Sequence, residues 1–190
     1  MWIVVGLGNP GRRYAGTRHN VGFSLIQRLA RRWGVKLRRR KYAAKVVEVM
    51  RNEERLVLAQ PQTYMNLSGV AVRQILEGYR VAPARIVVVT DDLDIPLGQI
   101  RVRKGGSAGS HKGLRSVVAE MGTPLIPRLR IGIGPLAEHG DAVEFVLSRF
   151  SREELPVVEE ALAKAEEALE MILDGRIEAA MNRFNQRGMT

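Results

Sequence analysis

The chain has no cysteine, which excludes a disulfide framework and a thiolate metal site and suits a reducing cytoplasm. No apolar run reaches 18 residues, so no membrane span is expected. The N-terminus enters a strand-like segment without a charged leader and cleavage site, so no secretory signal is expected either. Acidic residues are missing from the first 47 positions, and the first carboxylate is Glu48. The net charge is +10, yet the last forty residues hold nine acidic and five basic side chains. The positive charge therefore belongs to the residues before them. A one-sided basic field attracts polyanions, nucleic acid foremost.

What is present is the composition of an ordinary globular chain: 190 residues, 45% hydrophobic and 26% charged. Strand-like runs occupy 2–7, 43–50, 55–60, 85–91, 99–104 and 128–134. Several are unbroken Val/Ile/Leu stretches, as in strands buried on both faces. Between them Val21, Leu25, Leu29 and Trp33 mark one helix, Leu67, Ala71 and Ile75 another, and Leu114, Val117 and Val118 a third. A capping-box pattern, Ser151-x-x-Glu154, opens a long C-terminal helix whose apolar face runs through Val158, Leu162, Ala165, Leu169 and Ile172 to Gly175. The pattern predicts a single-domain α/β three-layer sandwich over 1–190, with a twisted, mixed but largely parallel sheet flanked by helices. The close pair of strands within 43–60 is expected to be antiparallel.

Three glycine-containing motifs invite readings that their spacing does not support, and a charged one leaves a metal reading open. Gly6-x-Gly8-x-x-Gly11 follows a strand, as in a dinucleotide-binding turn. That turn needs a helix starting at the third glycine and an acid about 20 residues on. Here loop continues past Gly11, the helix begins nearer His19, and no acid precedes Glu48. The stretch 105–109 fits G-x-S-x-G around Ser107, with His111 and His139 downstream, but the next helix starts too late for a tight nucleophile elbow. His111-Lys112-Gly113 does not supply the Gly-Lys-Ser/Thr of a phosphate-binding loop. Asp91, Asp92 and Asp94 could hold Mg²⁺, a reading that would make the chain a metal-dependent phosphoesterase.

Four polar residues stand at element ends. His19, at a loop-to-helix junction, is a candidate base or a surface cap. Asp91 ends a buried strand, where open α/β sheets place their crevice, and a buried carboxylate there needs a partner such as a histidine ring. Asn9 is a turn residue before Pro10 or a ligand amide, and Asn66 a helix cap or an oxyanion donor. Asp92 and Asp94 read as caps of a turn before Pro96 or as solvent-facing groups.

The segments "GLGNPGRRYAGTRHNVGF", "TYMNLSG", "DDLDIPLGQIRVRKGGSAGSHKGL" and "RLRIGIG" resemble the successive signatures of bacterial-type peptidyl-tRNA hydrolases. The resemblance runs with matching spacing from residue 2 to the C-terminal helices. It implies a metal-free, cofactor-free hydrolase that cleaves the ester between peptide and tRNA, with peptidyl-tRNA as its partner and no obligate protein partner: a cytoplasmic monomer. By the same resemblance His19 is the base that activates water, and Asp91 orients its ring. Asn66 positions the peptide and stabilises the oxyanion, and Asn9 holds substrate near the ester. Tyr14, Tyr64 and Met65 line the crevice. One position departs from the family's pattern, because Lys112 stands where asparagine is expected, so it is read as binding rather than catalytic. Arg103 and Arg130 match the clamp on the tRNA 5′-phosphate. Arg101 shares a strand face with Arg103, and Arg128 shares one with Arg130 and is expected to assist. The basic run 36–42 reads as general electrostatic surface.

Overall fold

The unbroken apolar runs become the middle of one seven-stranded sheet. β1 (Trp2–Gly6), β4 (Glu54–Pro61), β5 (Ile86–Pro96) and β7 (Arg128–Gly134) run parallel. Ile3, Val4, Val5, Val87, Val88 and Val89 are sealed from solvent on both faces. β3 (Ala44–Arg51) pairs antiparallel with β4, as expected for 43–60. The short β2 (Arg39–Lys41) closes that edge, and β6 (Ile100–Arg103) lies antiparallel beside β7 at the other. The order is β2-β3-β4-β1-β5-β7-β6. The computed structural model describes residues 1–136 and 140–186.

Helices cover both faces, giving the sandwich. α1 (Val21–Arg32), α5 (Leu155–Leu173) and α6 (Ile177–Phe184) pack against Val4, Leu58, Val87, Val89, Leu129 and Ile131. α2 (Ser68–Tyr79) and α3 (Lys112–Met121) pack on the other face against Ile3, Val5, Val57 and Val88. That second core includes no residue of β6 or β7. Since Ile100, Val102, Leu129 and Ile131 point to the α1–α5 side, the alternating Arg101, Arg103, Arg128 and Arg130 point to the other. A sixth helix, α4 (Ala142–Leu147), begins with Asp141 accepting from the N–H groups of Val143 and Glu144. Among the described residues no helix is long and apolar enough to cross a membrane.

The glycine turn has a packing explanation. A Cβ on Gly6 would sit 2.2 Å from the carbonyl oxygen of Gly22, and one on Gly22 would sit 2.6 Å from that of Leu7. β1 and α1 therefore approach more closely than any side chain permits. The helix itself starts at Val21, far past Gly11, so no helix terminus meets a pyrophosphate there. One strand is longer than its sequence signal: β5 continues through the aspartates to Pro96 with an irregular register after Asp92. No turn precedes Pro96; the turn follows it. At the far edge Asn185 accepts from the N–H of Val102 (2.8 Å) and donates to its carbonyl (2.9 Å), so a side-chain amide covers β6 where a further strand would sit.

Candidate active site

His19 arrives on a pinned turn. Arg18–Asn20 form a single 3-10 turn leading into α1, and Arg18 is buried. Its guanidinium reaches both carboxylate oxygens of Glu154 (3.0 and 2.7 Å) and Ser148 Oγ (3.1 Å). It lies between the rings of Phe145 and Phe150, at 4.4 and 4.8 Å from their centroids. The predicted capping box forms around the same glutamate: Ser151 N–H donates to Glu154, and Glu154 N–H to Ser151 Oγ. One carboxylate thus starts the C-terminal helical region and anchors the turn that presents His19.

His19 and Asp91, 72 residues apart, meet. His19 Nδ1 lies 2.9 Å from both Asp91 oxygens, and His111 Nε2 lies 2.9 Å from Oδ1. The two rings are 5.1 Å apart. Burial alone would push the Asp91 carboxyl up, but the electrostatic pull and hydrogen bonds of the facing N–H groups of His111 and His19 outweigh it and hold it well below the usual carboxylate range. An ionised carboxylate only accepts, so both facing nitrogens carry their protons. His111 Nδ1 in turn accepts the N–H of Leu114 at 3.1 Å, which caps α3 and fixes the Nε2–H tautomer. With Nδ1–H on Asp91, neutral His19 offers an unprotonated Nε2 as a base.

Donor atoms of His19, Asp91 and His111 lie within 4.8 Å of one another. The set does not suit a cation. A ligating imidazole keeps a proton on its second nitrogen, whereas the second nitrogen of His111 is occupied as an acceptor. The three-aspartate reading is also overturned. Asp92 pairs with Arg130, and its Oδ1 accepts from Asp94 N–H at 2.9 Å, so Asp91 and Asp92 serve different partners.

Asn9 is buried, and its Oδ1 accepts from the Met65 N–H at 2.8 Å, leaving its NH₂ group as the available end. Asn66, in the 3-10 turn before α2, caps neither helix, and its amide bonds to no described side chain. Met65 is buried, with Gly113 beside it: a Cβ there would lie 2.4 Å from the sulfur. The N-terminus of α3 packs closely against this loop, and a side chain at residue 113 would require the Met65 side chain to shift.

These groups enclose a cavity of about 440 Å³. Asn9, His19, Tyr64, Met65, Asn66, Asp91, Lys112 and Arg130 all line it. Tyr14 does not; it meets Tyr64 edge-on at 6.4 Å, behind the rim. Arg101 stands directly across from Arg130, and Arg103 across from Arg128, in the β6–β7 pairing. The expected role of Arg128 is corrected. It is 1% exposed, and its guanidinium bonds the carbonyls of Ile126, Ser107 and Pro124, so it ties two loops together and reaches no ligand. His139 lies outside the described residues. His111 and Asn20 went unassigned in the sequence; an imidazole just before an apolar helical pattern was the available signal for the first.

A carboxylate-held imidazole beside two side-chain amides, on the wall of one cavity in an α/β sandwich, is an arrangement suited to hydrolysis by a general base. The chain belongs to the peptidyl-tRNA hydrolase family, whose model matches residues 3–190. It is 48% identical over 186 residues to a peptidyl-tRNA hydrolase of Chloroflexus aggregans, covering 97% of this chain and 99% of that protein. A second, from Alkaliphilus metalliredigens, is 43% identical, with 97% and 100% covered. A crystal structure of peptidyl-tRNA hydrolase from Acinetobacter baumannii superposes with a TM-score of 0.91 at 35% identity, covering 97% of this chain and 94% of that one.

Proposed function

We propose that this chain, as its family membership implies, cleaves the ester joining a peptide to the 3′ end of tRNA, with His19 as general base. His19 Nε2 removes a proton from water as the water oxygen attacks the ester carbonyl. Asp91 holds Nδ1–H and stabilises the imidazolium that forms, and the Asn9 and Asn66 amides donate to the developing oxyanion. The tetrahedral intermediate collapses by expelling the ribose oxygen, which recovers the proton from the imidazolium. Tyr64 and Met65 wall the peptide, with Tyr14 backing Tyr64. Lys112, Arg101, Arg103 and Arg130 face the RNA, where guanidinium forks suit phosphate. Residues 1–190 act as one domain, a cytoplasmic monomer using neither metal nor organic cofactor.

The observation that carries this reading is the His19–Asp91 pair, 2.9 Å apart, on the wall of a cavity shared with Asn9 and Asn66. It is tested by hydrolysis of an N-blocked aminoacyl-tRNA in excess EDTA. Steady turnover of the ester is expected. Turnover abolished by the chelator and restored by Mg²⁺ would overturn the metal-free assignment, and no turnover under any condition would overturn the activity.

A further inference from the structure

We infer that Asn20 is a positioning residue for this reaction: it locks the backbone of Asn9, and so places the side-chain donor, whose orientation Met65 N–H sets, against the scissile ester. The inference rests on the proposed function and names a residue outside the set assigned above. Asn20 is 4% exposed. Its Oδ1 accepts from the backbone N–H of Asn9 at 2.8 Å, and its Nδ2 donates to the backbone carbonyl of Asn9 at 2.9 Å. Both main-chain polar groups of Asn9 are thus satisfied by one carboxamide, which mimics a paired strand residue.

The position makes this use telling. Asn20 occupies the N-cap of α1, where asparagine ordinarily accepts a helix N–H. It makes no such bond, and its amide is turned wholly to Asn9. The helix forgoes a cap for the sake of the loop. The consequence follows from donor–acceptor matching. Asn9 Oδ1 is committed to Met65 N–H, and reversing that carboxamide would set NH₂ against N–H. Reversing Asn20 would set its NH₂ against Asn9 N–H and its oxygen against the Asn9 carbonyl. Neither flip is available, so the group Asn9 offers the cavity is Nδ2–H₂. Because Asn20 directly follows His19, one rigid turn fixes both the base and the donor. Their separation is set by one peptide bond and two hydrogen bonds.

The test is a double-mutant cycle on Asn9→Ala and Asn20→Ala, with kcat and KM for N-acetylaminoacyl-tRNA and a thermal melt for each variant. Asn20→Ala is expected to lower kcat roughly 10- to 100-fold with KM nearly unchanged. In the Asn9→Ala background, removing Asn20 is expected to cost nothing further. Asn20→Asp, which keeps the acceptor for Asn9 N–H and loses the donor, is expected to be intermediate, and it replaces Asn20→Ala in the cycle if that variant does not fold. Losses that multiply across the cycle, or a rise in KM at constant kcat, would overturn the positioning role. An inert wild type would instead refute the proposed function, so the two failures are distinguishable.

Discussion

The arginines of this molecule fall into two populations. On the face formed by α1, α5 and α6, several meet carboxylates. Arg28 meets Glu159 and Glu166, Arg51 meets Glu170 and Asp174, and Arg183 meets Glu167. At the cavity and along β6, Lys112, Arg101 and Arg103 meet no described carboxylate within salt-bridge distance. The net charge of +10 is therefore not a uniform property of the surface. The acidic C-terminal helices neutralise one face, and the reactive side is left electropositive, as a polyanionic substrate requires. Arg130 stands between the populations, since it lines the cavity yet pairs with Asp92.

That contrast can be broken or sharpened by substitution. The largest effect belongs to the reactive side: His19→Ala is expected to lower kcat by roughly 10²–10⁴ with tRNA affinity nearly intact. Undiminished turnover in that variant would remove His19 from the mechanism. Next comes Arg128→Met, which takes the donors from three backbone carbonyls around a buried guanidinium. We expect a loss of about 2 kcal/mol in urea unfolding, and unchanged stability would show the loops hold without it. Smaller again is a pH effect. The Asp91 carboxyl is depressed in the fold, so its contribution is present above the ordinary carboxylate pKa of about 4 and is lost as pH falls below it. The gap in Tm between wild type and Asp91→Asn should narrow on acidification through that range; a constant gap would contradict the depressed pKa. The finest test compares the two populations directly. Arg103→Ala should reduce the salt slope of tRNA binding by about one unit, whereas Arg183→Ala should leave it unchanged. Equal slopes for both variants would dissolve the distinction.

Much of this was legible from residue order alone. Long periodic helices such as that of Val158, Leu162 and Leu169 declare themselves, because several turns repeat one apolar face. α4 and α6 were missed for the converse reason: six and eight residues give about two turns and no sustained period. β2, three residues long and basic, has no apolar alternation to read. His19, Asn9 and Asn66 could be placed at element ends; Asp91, expected to end its strand, lies inside the longer β5, and the fold brings all four to one cavity. Strand parity correctly put Arg128 and Arg130 on one face, but parity is blind to the loop at Ser107 that folds over the first and leaves the second at the cavity. Asp92 looked free because its partner is 38 residues away in sequence and adjacent only across the β5–β7 pairing.

The claim beneath all of this is a proton arrangement: one carboxylate holds two imidazoles, by Nδ1–H of His19 and Nε2–H of His111. Nitrogen-15 NMR of the histidine rings at neutral pH reads it directly. The account predicts a protonated Nδ1 and a bare Nε2 on His19, with the opposite tautomer on His111. A His19 ring carrying its proton on Nε2 alone would leave no base facing the ester and would contradict the account.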